Sequence, residues 1–236
     1  MNALNDSLKF ELKRNAFFSE YHDDELADLL SLAKTVTFKS RKQIFGQGDE
    51  GDSMFILLSG RVKISTFSSA GKECVLTFLG SGDILGEIAL LDGGVRTAAA
   101  IVLEETRALQ LFRSDFQSFI TSHPRITLQI ISVLCERLRR TDMFVEEVAT
   151  MQAGPRLARA LLRLAERHGD ESDSGAIKIN MKLSQANLGA HSGLMRENVN
   201  RQLKIWEDAQ ILENDSGFLT LLQPDLLEDV IETAGE

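Results

Sequence analysis

LSQANLGAHSGLMRENVNRQLKIW, residues 183–206, folds two helical patterns around one glycine. Ser184 offers the side-chain oxygen that caps a helix N-terminus, and Leu188 and Ala190 continue the pattern behind it. Gly193 can take the left-handed conformation that ends a helix. A second helix then runs through Met195, Val199, Leu203 and Trp206, with those four side chains predicted to face inward. Two helices about such a turn form a helix-turn-helix. The opposite face of the second helix gathers Arg196, Glu197, Asn200, Arg201 and Lys204. That face is either a solvated surface or a surface that reads DNA. Its chemistry suits DNA: an arginine fork matches guanine O6 and N7, and a glutamate accepts from cytosine N4. Arg196 and Glu197 stand in the first turn, the part of a recognition helix that enters the major groove.

Outward from this stretch, Ile211-Leu212-Glu213, the turn Asn214-Asp215-Ser216-Gly217 and residues 218–222 read as a hairpin wing. Residues 224–236 read as a short acidic helix of no assigned role. In the other direction, Leu157, Leu161, Leu164 and Ala165 give one helix an apolar face, and 169–175 (GDESDSG) is predicted to be an exposed loop. Gly154-Pro155 is predicted to break the preceding helix, which places a boundary near 152–155 and a hinge at 153–155. The second domain is expected to be small and mostly helical. Pro124 opens the long helix before it. Ile131, Leu134, Leu138, Thr141, Val145, Val148 and Gln152 repeat there on a heptad. Such a stripe either forms a dimer seam or packs against its own domain.

Residues 35–112 have a different texture. Short runs at 36–38, 44–45, 54–58, 62–64, 75–78 and 108–111 alternate with Gly48, Gly51, Gly60, Gly71, Gly80, Gly82, Gly93 and Gly94. Short strands parted by turn glycines predict an antiparallel sandwich, roll or barrel. Helical spacing flanks it, from about 4 to 34 and from 112 to 122.

The whole chain bounds the possibilities. With 236 residues and 43% hydrophobic content, it can build one large or two small domains. The net charge of −9 argues against a generally basic coat, so nucleic-acid binding must come from a local patch. Cys74 and Cys135 make no metal or disulfide pattern and read as small buried hydrophobes. No apolar run approaches the ~18 residues of a membrane span. The segment MNALNDSLKFELKRN is too charged for a signal peptide, so a soluble cytoplasmic protein is expected. No nucleophile–base pair or metal set appears, so no enzyme activity and no metal are expected.

GEIALLDGGVRTA, residues 86–98, raises a question of chemistry, because it sets Glu87 and Arg96 on either side of a short apolar run. They form either a structural pair in a turn or two halves of a ligand site. A helical turn at 87–91 presents backbone N–H groups that favour an anion. A guanidinium suits a phosphate, and a carboxylate accepts from a sugar hydroxyl. Gly86 allows close backbone approach. A phosphate beside a ribose hydroxyl describes a nucleotide.

A β-roll, a long helix and a winged helix-turn-helix, in this order, resemble the CRP/FNR family of bacterial transcription regulators. The fold class this implies is α+β, with a cyclic-nucleotide-binding β-roll at 1–122, a dimerisation helix at 123–153 and a winged helix-turn-helix at 154–236. Arg196, Glu197 and Arg201 match the R-E-x-x-x-R of the cyclic-AMP receptor branch. The resemblance implies a homodimer on a TGTGA-like palindrome, with RNA polymerase as a further partner. Ser184 is expected to join Asn200 and Lys204 in the DNA face. Met195 departs from the family's usual serine, which can touch phosphate. Residues 86–98 resemble the family's phosphate-binding cassette. By that resemblance Glu87 takes the ribose 2′-OH, while Arg96, Thr97 and the backbone around Gly86, Ile88 and Ala89 take the cyclic phosphate. Iron–sulfur and haem sensing are not expected: two isolated cysteines cannot hold a cluster, and Gly86-Glu87 is intact.

In the cyclic-AMP branch two adjacent hydroxyl residues of the long helix meet adenine. Aligned on the flanking R-L and R-[IL]-A, those positions are Thr141 and Asp142. Guanine presents two adjacent donors, N1–H and N2–H₂, which one carboxylate accepts in parallel; adenine presents one donor and one acceptor. Thr97 can also accept from guanine N2 if the base is syn. Thr97 and Asp142 together resemble cyclic-GMP-selective proteins. The effector expected is cyclic GMP; the alternatives are cyclic AMP, or a regulator that binds DNA without any ligand and keeps the cassette only as structure. The alternatives for the two residues are a solvated heptad flank for Asp142 and a simple phosphate ligand for Thr97.

Overall fold

The computed structural model describes residues 9–233 except 11, 14 and 16. The helical spacing expected at 4–8 and the last three residues of the acidic segment lie outside the described residues. The chain divides into two compact units, Met1–Arg139 and Arg140–Glu236.

In the first unit, α1 (Asp23–Leu32) precedes β1 (Lys34–Phe38), β2 (Gln43–Phe45), β3 (Ser53–Phe67), β4 (Glu73–Leu79) and β5 (Ile84–Leu85). A short α2 (Glu87–Asp92) follows, then β6 (Ala99–Phe112) and α3 (Arg113–Ser122). The strands form one antiparallel sheet in the order β1-β6-β3-β4, with β2 paired to β6 and β5 to β3. One core joins helices to sheet through Leu26, Leu29, Met54, Ile56, Leu111 and Phe116; a second fills the roll with Phe55, Leu57, Val62, Ala100 and Val102. Phe17, Phe18 and Tyr21 pack on one another edge to face, Phe17 against Phe18 at 5.1 Å and Phe18 against Tyr21 at 5.4 Å between centroids.

Two expectations are corrected here. The runs at 54–58 and 62–64 are one 15-residue strand, β3, and Gly60 is not a turn between them. Gly60 is a kink inside the strand, with φ +90 and register shifts against β6 on both sides. A Cβ there would lie 2.3 Å from Glu105 O, so the crossing with β6 demands glycine. Nor are the cysteines buried hydrophobes: Cys135 is exposed and Cys74 half-buried.

Helix α4 (Pro124–Thr150) carries the chain from the first unit into the second. It stops two residues before Gln152, so Gln152 is not its last heptad position. Gln152 instead occupies the extended N-cap of α5 (Ala153–His168). The break therefore falls at 151–152, and Gly154-Pro155 lie in the first turn of α5, where proline's missing N–H costs nothing.

The second unit continues with β7 (Gly169–Glu171), β8 (Ile177–Ile179), α6 (Gln185–Ser192), α7 (Arg196–Asp208), β9 (Leu212–Asp215), β10 (Phe218–Leu221) and α8 (Pro224–Glu232). The predicted loop at 169–175 is in part a strand: β7 pairs with β8, extending the wing to a four-stranded sheet in the order β7-β8-β10-β9. Leu157, Leu161, Leu188, Val199, Leu203, Trp206, Leu219 and Leu227 are buried in this unit. The wing turns at Ser216-Gly217, both at positive φ, and Gly217 N donates to Asn214 Oδ1 at 3.0 Å.

Candidate ligand and nucleic-acid sites

The cassette is built by two glycines and two arginines. Gly86 caps α2 in the left-handed region, φ +83. A Cβ on it would lie 2.5 Å from Arg96 Nη1 and 3.2 Å from Ser53 O. A Cβ on Gly51 would lie 2.4 Å from Ala89 Cβ and 3.0 Å from Arg96 Cζ. Both positions must be bare for the Arg96 guanidinium to lie where it does. Arg96 is held through its backbone, donating to Asp49 O and accepting from Gly48 N, each at 2.8 Å. Its side chain donates from Nη1 to Gly86 O at 2.8 Å and lies 4.3 Å from the Phe45 ring centroid.

Glu87 and Arg96 are each 4% exposed, so the turn buries two opposite charges. Burial pulls the Arg96 guanidinium below its usual pKa, an effect opposed by Asp52, Glu87 and Asp49 and reinforced by Arg113. Arg96 Nε is buried and has no hydrogen-bond partner. A desolvated cation with an orphaned donor fits an incoming anion. Ala89 is buried, Ile88 half-buried, and Thr97 exposed just beyond Arg96.

Two residues here escaped the sequence reading. Arg137, on α4, donates from Nη1 to Glu87 Oε1. Arg113, first residue of α3, donates from Nη2 to Gly51 O and to Ala89 O, the latter at 2.5 Å. Arg113 thus ties the carbonyl side of α2 to the loop before β3. Neither belongs to the 86–98 motif, and on its own stretch of sequence each reads as a surface cation.

Thr141 and Asp142 are exposed on α4 and belong to the second unit, not to the unit of the cassette. On the same helix Ile131, Leu138, Val145 and Val148 are 50%, 61%, 61% and 42% exposed, an apolar stripe facing solvent in the single chain.

In the helix-turn-helix, Ser184 Oγ accepts from Asn187 N at 3.1 Å and caps α6. Gly193 ends α6 at φ +67. Gly189 lets the two helices close, since a Cβ there would lie 2.7 Å from Leu194 O. Val199, Leu203 and Trp206 face inward, but Met195 does not: it is 68% exposed. Met195 is the extended N-cap of α7, so the helical stripe that buries Val199 does not reach it. Arg196, Glu197, Asn200, Arg201 and Lys204 are all exposed. Gln185, also absent from the sequence reading, links the helices: Nε2 donates to Asn200 Oδ1 at 3.0 Å and Oε1 accepts from Arg196 Nε at 3.4 Å.

Among the described residues no cluster of three or more His, Cys, Asp or Glu could hold a metal ion, and no helix is long and apolar enough to cross a membrane.

Comparison with known proteins agrees with this division of labour. Residues 35–123 match the cyclic nucleotide-binding domain family, and residues 155–230 match the Crp-like helix-turn-helix domain family. The chain is 33% identical to a CRP-like cAMP-activated global transcriptional regulator of Mycobacterium tuberculosis, over 81% of this chain and 85% of the relative. It is 30% identical to a cyclic AMP receptor protein of Thermus thermophilus, over 93% and 98%. The crystal structure of the Thermus thermophilus catabolite activator protein superposes with TM-score 0.54 at 28% identity, covering 93% of this chain and all of that one. Regulators of this family bind DNA and act as dimers. With a nucleotide cassette in its first unit and a winged helix-turn-helix in its second, the chain belongs to the CRP/FNR family of transcription regulators, a cyclic-nucleotide-binding, DNA-binding protein.

Proposed function

We propose that this protein is a homodimeric, cytoplasmic transcription regulator whose affinity for a TGTGA-like palindrome is switched by cyclic GMP. The observation that carries the nucleotide reading is the cassette. Arg96 is a buried cation with an unpartnered donor, beside a buried carboxylate. The cyclic phosphate meets Arg96, Thr97 and the backbone at Gly86, Ile88 and Ala89, while the ribose 2′-OH donates to Glu87. The base faces Thr141 and Asp142, whose carboxylate accepts from the guanine donor pair. The apolar stripe Ile131, Leu138, Val145 and Val148 supports a seam with a second copy, since its exposure is unfavourable in a lone chain. Two α7 helices then enter successive major grooves about 34 Å apart. Arg196, Glu197 and Arg201 read bases; Asn200, Lys204 and Ser184 complete the face; RNA polymerase receives the bound dimer.

Cyclic AMP is a second reading, favoured by the names of the Mycobacterium tuberculosis and Thermus thermophilus relatives. The deciding experiment is calorimetric titration of nucleotide-free protein with each nucleotide, followed by a mobility-shift assay on the palindrome. Cyclic GMP is expected to bind about 10–100-fold more tightly, and Asp142→Ser to erase that preference. An equal or stronger response to cyclic AMP overturns the base assignment. Operator binding that ignores both nucleotides overturns the switch itself.

A further inference from the structure

Outside the cassette and the recognition face, the most deeply buried charge of the second unit is Glu147, 3% exposed near the end of α4. Arg163, from α5, grips it with a two-bond fork: Nη1 to Oε1 at 2.7 Å and Nη2 to Oε2 at 2.9 Å. Arg159, one turn earlier on α5, places Nη1 3.5 Å from Oε1. A further turn back, Arg156 donates from Nη1 to Val148 O at 3.0 Å. It also donates from Nη2 to Gly193 O at 3.4 Å. Val148 itself touches the same turn, its Cγ2 lying 3.4 Å from where a Cβ on Gly193 would stand.

These contacts have a common consequence. The terminal carbonyls of a helix lack intrahelical partners, and a cation there is favoured by the helix dipole. Arg156 meets that need for α4 and, with its other nitrogen, holds the turn that sets α7 against α6. Glu147 is desolvated, so its fork with Arg163 is directional and resists sliding. The end of α4, the start of α5 and the Gly193 turn therefore share one set of charge-assisted bonds. Val145 and Val148 remain exposed on the same two turns of α4, 61% and 42%.

We propose that Glu147, Arg163 and Arg156 are positioning residues that clasp the last turns of α4 to the helix-turn-helix. The seam positions Val145 and Val148 and the recognition helix then move as one piece. Two copies that pair along α4 thereby fix the placement of their α7 helices. The inference rests on the reading of this chain as a nucleotide-switched dimer, and its test separates the two.

The test uses full-length wild type, Glu147→Gln, Arg163→Lys and Arg156→Gln. For each, nucleotide affinity is measured by calorimetry, operator affinity with and without nucleotide by anisotropy, and amide exchange by mass spectrometry. All variants are expected to keep nucleotide Kd within about twofold of wild type. Nucleotide stimulation of operator binding, about 10–100-fold in wild type, falls below about threefold in Glu147→Gln and Arg156→Gln. Arg163→Lys, which keeps the charge and loses the fork, falls between. Exchange at 143–150 matches that of α5 in wild type and rises at least about fivefold in Glu147→Gln, while 84–98 is unchanged. Arg156 is half-buried and bonds only carbonyls, so Arg156→Gln carries the test even if Glu147→Gln does not fold. Undiminished stimulation in both variants overturns the clasp, as does unchanged exchange at 143–150. Wild type that ignores nucleotide overturns the proposed function instead, and the exchange measurement alone then decides the clasp.

Discussion

The cassette and the recognition helix solve opposite problems with the same residue types. In the cassette, Glu87 and Arg96 are each 4% exposed and already engaged, Glu87 with Arg137 and Arg96 with Gly86 O. On α7, Arg196, Glu197, Arg201 and Lys204 are exposed, and their surroundings are mostly water. Buried charges must be held by partners, or they neutralise or unfold the site. A DNA-reading face needs the reverse: charged groups whose desolvation waits for the phosphates and base edges. A substitution in the cassette should therefore disturb fold and function together, whereas one on α7 should disturb function alone.

The hardest test of that contrast is Arg96→Ala. It removes the buried guanidinium, leaves Gly86 O with only the longer bond from Leu90 N at 3.4 Å and empties the space against Phe45. Nucleotide affinity is expected to fall at least about 100-fold, the loss of a charge-assisted phosphate contact of ~3 kcal/mol. Stability should fall by about 2 kcal/mol, from the lost charge-assisted hydrogen bond and the lost packing. Calorimetry and chemical denaturation measure the two. A lost ligand with unchanged stability would break the claim that the cassette's charges are also structural.

Arg196→Ala sharpens the other side. Its only described bond is the 3.4 Å contact from Nε to Gln185, on the surface. Stability should stay within about 0.5 kcal/mol of wild type. If Arg196 reads a base as proposed, operator affinity should drop about 10–100-fold, with the loss concentrated at one guanine of each half-site. Competition against base-substituted operators checks this. A uniform loss across all sequences would reassign Arg196 to a phosphate contact.

The same contrast explains what the amino-acid sequence disclosed. The exposed charged face of α7 was legible because its residues lie within one helix, where spacing alone puts Arg196, Glu197, Asn200, Arg201 and Lys204 together. The core of the cassette was legible because it is one continuous turn with its glycine. Arg137 and Arg113 were not, because they arrive from α4 and α3, 50 and 26 positions away from Glu87, and only the folded roll brings them near. Gly60 misled for a related reason. A glycine between apolar runs reads as a turn, and the close crossing with β6 that makes it a kink is a long-range contact. The GDESDSG stretch read as a loop because it is polar, yet β8 pairs with its first residues. Pairing partners override local propensity in short edge strands. Gln152 failed as a heptad position because the helix ended first, at Thr150.

Ser184 stands where the two designs meet, and it offers the finest discrimination. Its Oγ accepts from Asn187 N, so it is a cap whose loss in Ser184→Ala should cost about 1 kcal/mol. It also stands at the start of α6, on the side assigned above to DNA. Ser184→Asp keeps an acceptor for Asn187 N and suits the helix dipole, so stability should stay within about 0.5 kcal/mol of wild type. A carboxylate there would repel the phosphate backbone. Operator affinity should then fall about tenfold, more at low salt than at high, because screening shortens the reach of the repulsion. A Ser184→Asp protein that is stable and binds normally would confine Ser184 to the cap and narrow the DNA face to α7. A variant stable but weak in binding would give the residue both roles: a bond made within the fold, and a surface that must stay uncharged.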